Sequence, residues 1–252
     1  MKKIYRNKNK KTKKNNNNKK QTKQKGGNGS RYVSDTQRHD LLKLIEVASA
    51  WNEKGQWIID NDTIVVYDHG KYQLNDFKLF FLDNWSTGYF EDDIKLKTYA
   101  KNQYTTKNMA MNCWEFVLLC LYEAKYITKQ HIITLYNHNL QREASIIPNF
   151  FCIDTAIQNP DKLVPGYIML EYRERTDRVI YHVGIAVSEK KYIHCLNTNV
   201  GIDDYDTKYN KPARGTLIVD PKYLCSTIIN LPIIENVMFN TADLFLAMLS
   251  LK

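Results

Sequence analysis

Tyr167-Ile168-Met169-Leu170-Glu171-Tyr172, Arg178-Val179-Ile180-Tyr181-His182-Val183-Gly184-Ile185-Ala186-Val187 and Lys191-Tyr192-Ile193-His194-Cys195-Leu196 are three runs rich in β-branched and aromatic residues. Turn-forming residues precede each of them: Pro165-Gly166, Thr176-Asp177 and Glu189-Lys190. Runs of this length with such punctuation read as strands, and the short connections predict an antiparallel meander of three strands. Alternation along the middle strand puts Val179, Tyr181, Val183, Ile185 and Val187 on one face, and Ile180, His182, Gly184 and Ala186 on the other. If the hairpin loop is Ser188-Glu189-Lys190, Val187 pairs with Lys191 and His182 and His194 become diagonal neighbours on one face. Gly184 offers no packing, so its place beside His182 predicts close approach by another element or a substrate; the bland alternative is a β-bulge.

Upstream, Met111-Asn112-Cys113-Trp114-Glu115-Phe116 leads into Phe116-Val117-Leu118-Leu119-Cys120-Leu121-Tyr122, with no Gly or Pro before Lys129. A helix apolar on nearly all sides is a buried one. Asn112 is a favoured N-cap, and Glu115, three residues on, can close a capping box. Cys113 is then the first helical residue, where unpaired amides and the helix dipole favour an anion. Thiols in such places reach pKa values of roughly 3.5–7.5. The same amides point to where a tetrahedral oxyanion would form during attack on a carbonyl.

The chain has 252 residues, 43% hydrophobic and 12% aromatic, enough for one sizeable core. Its formal charge of +9 is localised: residues 1–30 hold twelve of the 36 basic residues and no acid, leaving 24 against 27 acidic ones beyond. That Lys- and Asn-rich segment lacks the apolar surface to offset ordering entropy, so residues 1–34 are expected to be a disordered basic tail. Residues 35–252 are the folded domain. The tail could attract an anionic partner, nucleic acid or a membrane surface, without reading sequence, or simply solubilise the chain. The longest apolar run, Phe116 to Tyr122, is far short of the roughly 18 residues of a membrane span, and no signal-peptide pattern is visible. Five widely spaced cysteines without a Cys-x-x-Cys pair fit a reducing, intracellular compartment. Cys120, Cys152 and Cys225 read as core residues, and His39, His69, His131 and His138 as ordinary hydrogen-bonding ones.

Elsewhere, Ser34 or Asp35 can cap a helix from Asp35 to Asn52 with a stripe of Leu41, Leu44, Ile45 and Ala48. Thr63 to Tyr67 and Lys78 to Leu82 read as short strands or covering segments, and a second helix is expected over Thr128 to Asn139. The stretch between Pro148 and Pro160 carries no clear signal.

The N-cap Cys113 opening a buried helix, Pro165-Gly166 before a strand, His182-Val183-Gly184-Ile185, and Tyr192-Ile193-His194 twelve residues after His182 together resemble the NlpC-type papain-like cysteine peptidases. The resemblance spans residues 110–200. It implies an α+β papain-like domain, with the helix that Cys113 opens packed on an antiparallel β-sheet. It also implies Cys113 as nucleophile, His182 as general base and His194 as the residue that orients it. Family members usually carry Asp-Cys-Ser-Gly where this chain has Asn112-Cys113-Trp114-Glu115, which implies a different acyl pocket. An upstream tyrosine that helps bind the oxyanion would be Tyr99 or Tyr104.

These readings lead to a cysteine hydrolase that cleaves an amide, peptide or related acyl bond through a thioester, with no metal or organic cofactor. Two alternatives use the same residues differently: a thiol acyltransferase or thioesterase acting on lipid, and a non-catalytic virion or nucleic-acid-associated protein tethered by its basic tail. A zinc site built from Cys113, His182, His194 and Cys195 is disfavoured, because adjacent His194 and Cys195 point to opposite strand faces.

Overall fold

The computed structural model describes residues 34–58, 65–67, 71–73, 75–82, 93–141, 155–173, 179–196, 198–207 and 214–231. The basic tail, His69, Cys152, the stretch from 142 to 154 and the C-terminal segment from Asn240 lie outside the described residues.

Ser34 caps α1 (Asp35–Ser49), its hydroxyl accepting the Gln37 N–H at 3.2 Å. Leu41, Leu44, Val47 and Ala48 form the buried stripe, so Val47 takes the core place expected for Ile45. Short strand β1 (Gln56–Trp57) follows, then the antiparallel pair β2 (Val65–Tyr67) and β3 (Lys71–Gln73). The run from Lys78 to Leu82 is no strand. It lies in and just after helix α2 (Asp76–Phe81), because Asn75 caps it and Phe77 and Phe81, four residues apart, pack with ring centroids 4.5 Å apart. Helix α3 (Asp93–Thr105) precedes β4 (Ala110–Met111), which pairs with β1 in parallel.

Helix α4 (Cys113–Glu123) begins where expected. Every residue from Glu115 to Leu121 is buried, which makes it the central helix. Helix α5 (Lys129–Gln141) covers the second expected helix, two residues longer at its end. The chain then enters a sheet built from β5 (Ile157–Gln158), β6 (Ile168–Arg173), β7 (Val179–Ala186), β8 (Lys191–Leu196), β9 (Asn199–Asp204) and β10 (Arg214–Val219). Its order is β5-β10-β6-β7-β8-β9, antiparallel throughout. Helix α6 (Pro221–Ile229) follows β10, capped by Asp220 with Pro221 in its first turn. The protein is therefore a mixed α+β fold with a six-stranded antiparallel sheet. Among the described residues no helix is long and apolar enough to cross a membrane.

The main core lies between α4 and one face of the sheet. Phe116, Leu119 and Cys120 of α4 share it with Val183 and Ile185 of β7, Ile193 and Cys195 of β8, and α1 residues Leu44 and Ala48. Met169, Ala186, Tyr192 and Ile218 form a smaller cluster with Leu163. The turn at Pro165-Gly166 needs its glycine: Gly166 has φ of 85°, and a Cβ there would sit 2.7 Å from Leu41 Cβ of α1.

The hairpin register is as expected, with Val187 N–H on Lys191 C=O at 2.9 Å and Ile185 opposite Ile193. The strict alternation along β7 is not. Glu171 pairs with His182 but Tyr172 pairs with Ile180, so Tyr181 is an extra residue bulged out of the ladder. Ile180 therefore joins Val183 and Ile185 in the main core, while Tyr181 is exposed. The bulge lies at Tyr181, not at Gly184. At Gly184 a Cβ would meet Ile193 O at 2.9 Å and His194 Cβ at 3.2 Å, so it is strand β8 that approaches closely.

Glu115 is fully buried and holds three elements together. Its carboxylate accepts the Asn112 N–H at 2.8 Å, the Asn75 side-chain amide at 2.8 Å and the Tyr136 hydroxyl at 2.9 Å. Asn112 reciprocates by accepting the Glu115 N–H at 2.9 Å. Burial raises the Glu115 carboxyl, and the nearby Lys78 charge with these donors opposes that. Glu115→Ala removes the acceptor of two buried donors and one part-buried donor and should cost about 3 kcal/mol in denaturant unfolding, whereas Glu115→Gln, which keeps an acceptor oxygen, should cost clearly less.

Candidate active site

Cys113 is the first residue of α4 and is half-buried against the main core. Three backbone amides face its sulfur: its own, that of Trp114 and that of Val183 on β7. The first two belong to the first turn of the helix, whose amides have no intrahelical carbonyl to bond. The third comes from the strand, just before the β7–β8 pairing at Ile185–Ile193 and Ala186–Tyr192 begins. The helix end and the strand thus aim N–H groups at one atom, the arrangement an oxyanion or thiolate would use.

The thiol is nevertheless not acidic. Burial pushes it up to about 11, outweighing the three amides, and the Glu115 carboxyl nearby adds to the rise. The low value expected from the helix end is overturned, because desolvation of the anion exceeds what the dipole returns. At neutral pH Cys113 carries its proton.

His182 and His194 are both buried, and His182 Nε2 lies 2.6 Å from His194 Nδ1. This is the diagonal pairing that the loop length predicts, with ring centroids 4.8 Å apart. A residue absent from the sequence reading completes the chain: Asp203 of β9 lies 3.1 Å from His194 Nε2 through its Oδ2. Asp203 pairs with Tyr192 in the β8–β9 ladder, two rows from the Gly201 opposite His194.

This order of groups fixes both tautomers. A carboxylate only accepts, so His194 Nε2 carries the proton and its Nδ1 is a lone pair. His182 must then donate from Nε2, which leaves its Nδ1 as a lone pair, the form a general base requires. Burial and the neighbouring His194 push His182 down to about 3. Burial lowers His194 too, opposed by Asp203. Both rings are neutral at pH 7.

The structure brings His182 and His194 together and brings Cys113 to the backbone of Val183, the residue after His182. Among the described residues no hydrogen bond joins Cys113 Sγ to His182. Alternation explains this: Val183 faces the helix and His182 faces the opposite side of β7. Direct proton transfer therefore needs a rearrangement of β7 around Val183, not a rotation of the thiol alone.

Other candidates fall elsewhere. Tyr104 stacks on Phe80 at 4.5 Å and hydrogen-bonds Glu123, at the far end of α4 and about 15 Å along the helix from Cys113. Tyr99 is exposed on α3. Tyr104 is therefore not placed to bind an oxyanion at Cys113. Glu115 points into the protein and shapes no acyl pocket. Cys120 and Cys225 are buried, and Cys195 is buried with its thiol donating to Met111 C=O at 3.5 Å. His131 helps cap α5 through the Thr128 N–H, and His138 is buried on that helix. Among the described residues no group of three His, Cys, Asp or Glu is arranged to hold a metal ion.

Compared with known protein families, curated proteins and solved structures, the chain matches none. The site's chemistry therefore has to be read from its own residues.

His182 gives a signed pH effect. Its folded pKa of about 3 lies below the ordinary 6.5, so between these values the unfolded chain binds a proton that the native one excludes. Its contribution to stability is fully present above pH 6.5 and is lost as pH falls toward 3. NMR of the His182 ring should show no protonation between pH 8 and 5, while free imidazole in the same sample titrates. Gly184→Ala should force β8 away, weaken the His182–His194 hydrogen bond and cost about 1–3 kcal/mol by thermal unfolding.

Proposed function

We propose that this protein is a cysteine hydrolase of the NlpC-type papain-like class, cleaving an amide, peptide or related acyl bond through a thioester on Cys113. One observation carries the reading: the Asp203–His194–His182 chain leaves a basic nitrogen on His182, next in sequence to the residue whose amide faces the Cys113 sulfur. Three groups in series that fix a histidine tautomer are what a general base in nucleophilic catalysis needs.

In the proposed reaction Cys113 Sγ gives its proton to His182 Nδ1 and its electron pair to the acyl carbon. The oxygen that becomes negative is received by the amides at the start of α4. The tetrahedral adduct collapses to a thioester, and the leaving amine or alcohol departs with the proton held by His182. Water then attacks the thioester, giving its proton to the same imidazole, and Cys113 is released with its proton restored. His194 and Asp203 are positioning residues: they hold the base in its tautomer and disperse its transient charge. Since the thiol and both rings are neutral at rest, the proton moves only as substrate is attacked.

Incubation with p-nitrophenyl acetate tests this directly. The expected result is a burst of p-nitrophenolate and an acetyl group on Cys113 by mass spectrometry, abolished in Cys113→Ser. The burst rate should fall by about a hundredfold or more in His182→Ala and less in Asp203→Asn. Acetylation that is undiminished in His182→Ala, or no more extensive at Cys113 than at Cys225, would overturn the proposal.

A further inference from the structure

Cys113 and Cys195 converge on one rung of the β7–β8 ladder. Ile185 faces Ile193 and Ala186 faces Tyr192, and continuing that antiparallel count sets Val183 opposite Cys195. The close approach persists beyond the paired residues, since a Cβ on Gly184 would come within 3.2 Å of His194 Cβ. Alternate residues of an antiparallel strand turn their N–H groups to the same neighbour. Val187 gives its N–H to Lys191 of β8 at 2.9 Å, so Val183 turns its own to that side as well. What the Val183 amide meets there is the Cys113 sulfur. The candidate nucleophile thus stands at the rung that Cys195 shares.

Cys195 reaches the same place from β8. It lies on the α4 side of the sheet, in the main core with Val183 and Met111, and its thiol donates to Met111 C=O at 3.5 Å. Met111 is two residues before Cys113, so that carbonyl sits at the start of α4. Burial raises the Cys195 thiol, and the neighbouring Cys113 adds to the rise. Cys120 also neighbours Cys195, but from seven residues, about 10 Å, further along α4. Exposure orders the three. Cys113 is half-buried while Cys120 and Cys195 are fully buried, so a small oxidant from solvent meets Cys113 first. The thioester chemistry leaves Cys195 without a role.

We propose that Cys113 and Cys195 form a reversible disulfide when a hydroperoxide is present, a redox lock on the candidate nucleophile. The Cys113 sulfur attacks hydrogen peroxide: an S–O bond forms, the O–O bond breaks, and a sulfenic acid and one water result, sulfur being oxidised by two electrons and the peroxide reduced. Cys195 Sγ then attacks Cys113 Sγ. The S–S bond forms, the S–O bond breaks, and the hydroxyl leaves as water with the Cys195 proton. A dithiol reverses the bond by exchange and returns both protons. The bond needs only the two sulfurs and not His182, which faces the other side of β7. That it silences catalysis rests on the reading of Cys113 as nucleophile. Burial pushes the Cys113 thiol up to about 11, so the attacking thiolate is scarce at neutral pH. Bond formation should therefore speed up about tenfold per pH unit between about pH 7 and 9.

Hydrogen peroxide added to the full chain, followed by thiol blocking, non-reducing chymotrypsin digestion and mass spectrometry, tests this. Cleavage after Trp114 and Phe116 separates Cys113 from Cys120. The expected product joins the Cys113 and Cys195 peptides, disappears with dithiothreitol and forms equally in His182→Ala. In Cys195→Ala, with its fold checked by circular dichroism, Cys113 should stop at a sulfenic acid that dimedone traps. Peptide mapping of the unaltered chain decides the matter even if that variant does not fold. The oxidised chain should lose acetylation of Cys113 by p-nitrophenyl acetate and regain it with dithiothreitol. Failure of the Cys113–Cys195 bond to form at about pH 9, or preference of either residue for another cysteine, would overturn the proposal. A bond in a chain that the ester never acetylates would leave this inference standing and remove the thioester reading alone.

Discussion

The structure is organised around the buried carboxylate of Glu115. A fully desolvated carboxylate is tolerated only when its oxygens are satisfied, and here the donors come from the start of α4, from Asn75 before α2 and from Tyr136 on α5. The group that closes the capping box therefore also fixes the three helices relative to one another. Since α4 cannot begin anywhere else without breaking these bonds, the position of Cys113 follows from the same interaction. A second buried acid lies close by: Asp76 accepts the Ala110 N–H at 2.8 Å, and burial pushes its carboxyl up to about 7. The polar interior of this protein sits under its candidate nucleophile.

Desolvation also sets the electrostatics of the candidate site. It raises the Cys113 thiol and lowers both histidines, so each group is held in its neutral form. A thiolate–imidazolium pair, the other state such residues can adopt, would place two charges where water is scarce. In the proposed reaction the three amides at Cys113, and the Asp203 carboxylate behind His194, would meet charge that develops transiently. Preorganised dipoles of this kind act when charge appears, at no cost of reorganisation.

The elements legible in the sequence were those with strong local signals. Asn112 and Glu115, spaced three apart before an apolar run, marked the start of α4. The meander strands and the loop at Ser188-Glu189-Lys190 were equally plain, and from the loop length came the His182–His194 pairing. The run from Lys78 to Leu82 was misleading, because five residues of apolar and aromatic character read as strand or helix alike. The Asn75-Asp76 pair before it was the cap that distinguishes them. Helix α6 also carried a legible cap, Asp220-Pro221, whereas α3 offered no strong apolar stripe.

Asp203 shows why part of the site stayed hidden. It follows His194 by nine residues and belongs to no motif; what brings it into the candidate site is the β8–β9 register that carries its carboxylate to a ring nitrogen. The bulge at Tyr181 is similar, being an accommodation between two strands that neither declares alone. By itself the sequence determined the helix that Cys113 opens, the three strands and the face shared by two histidines, because each depends on residues a few positions apart. Only the tertiary structure decided the protonation of the thiol and the carboxylate behind His194. Burial and long-range pairing are properties of the assembled chain, and a free energy of desolvation has no value until the surroundings exist.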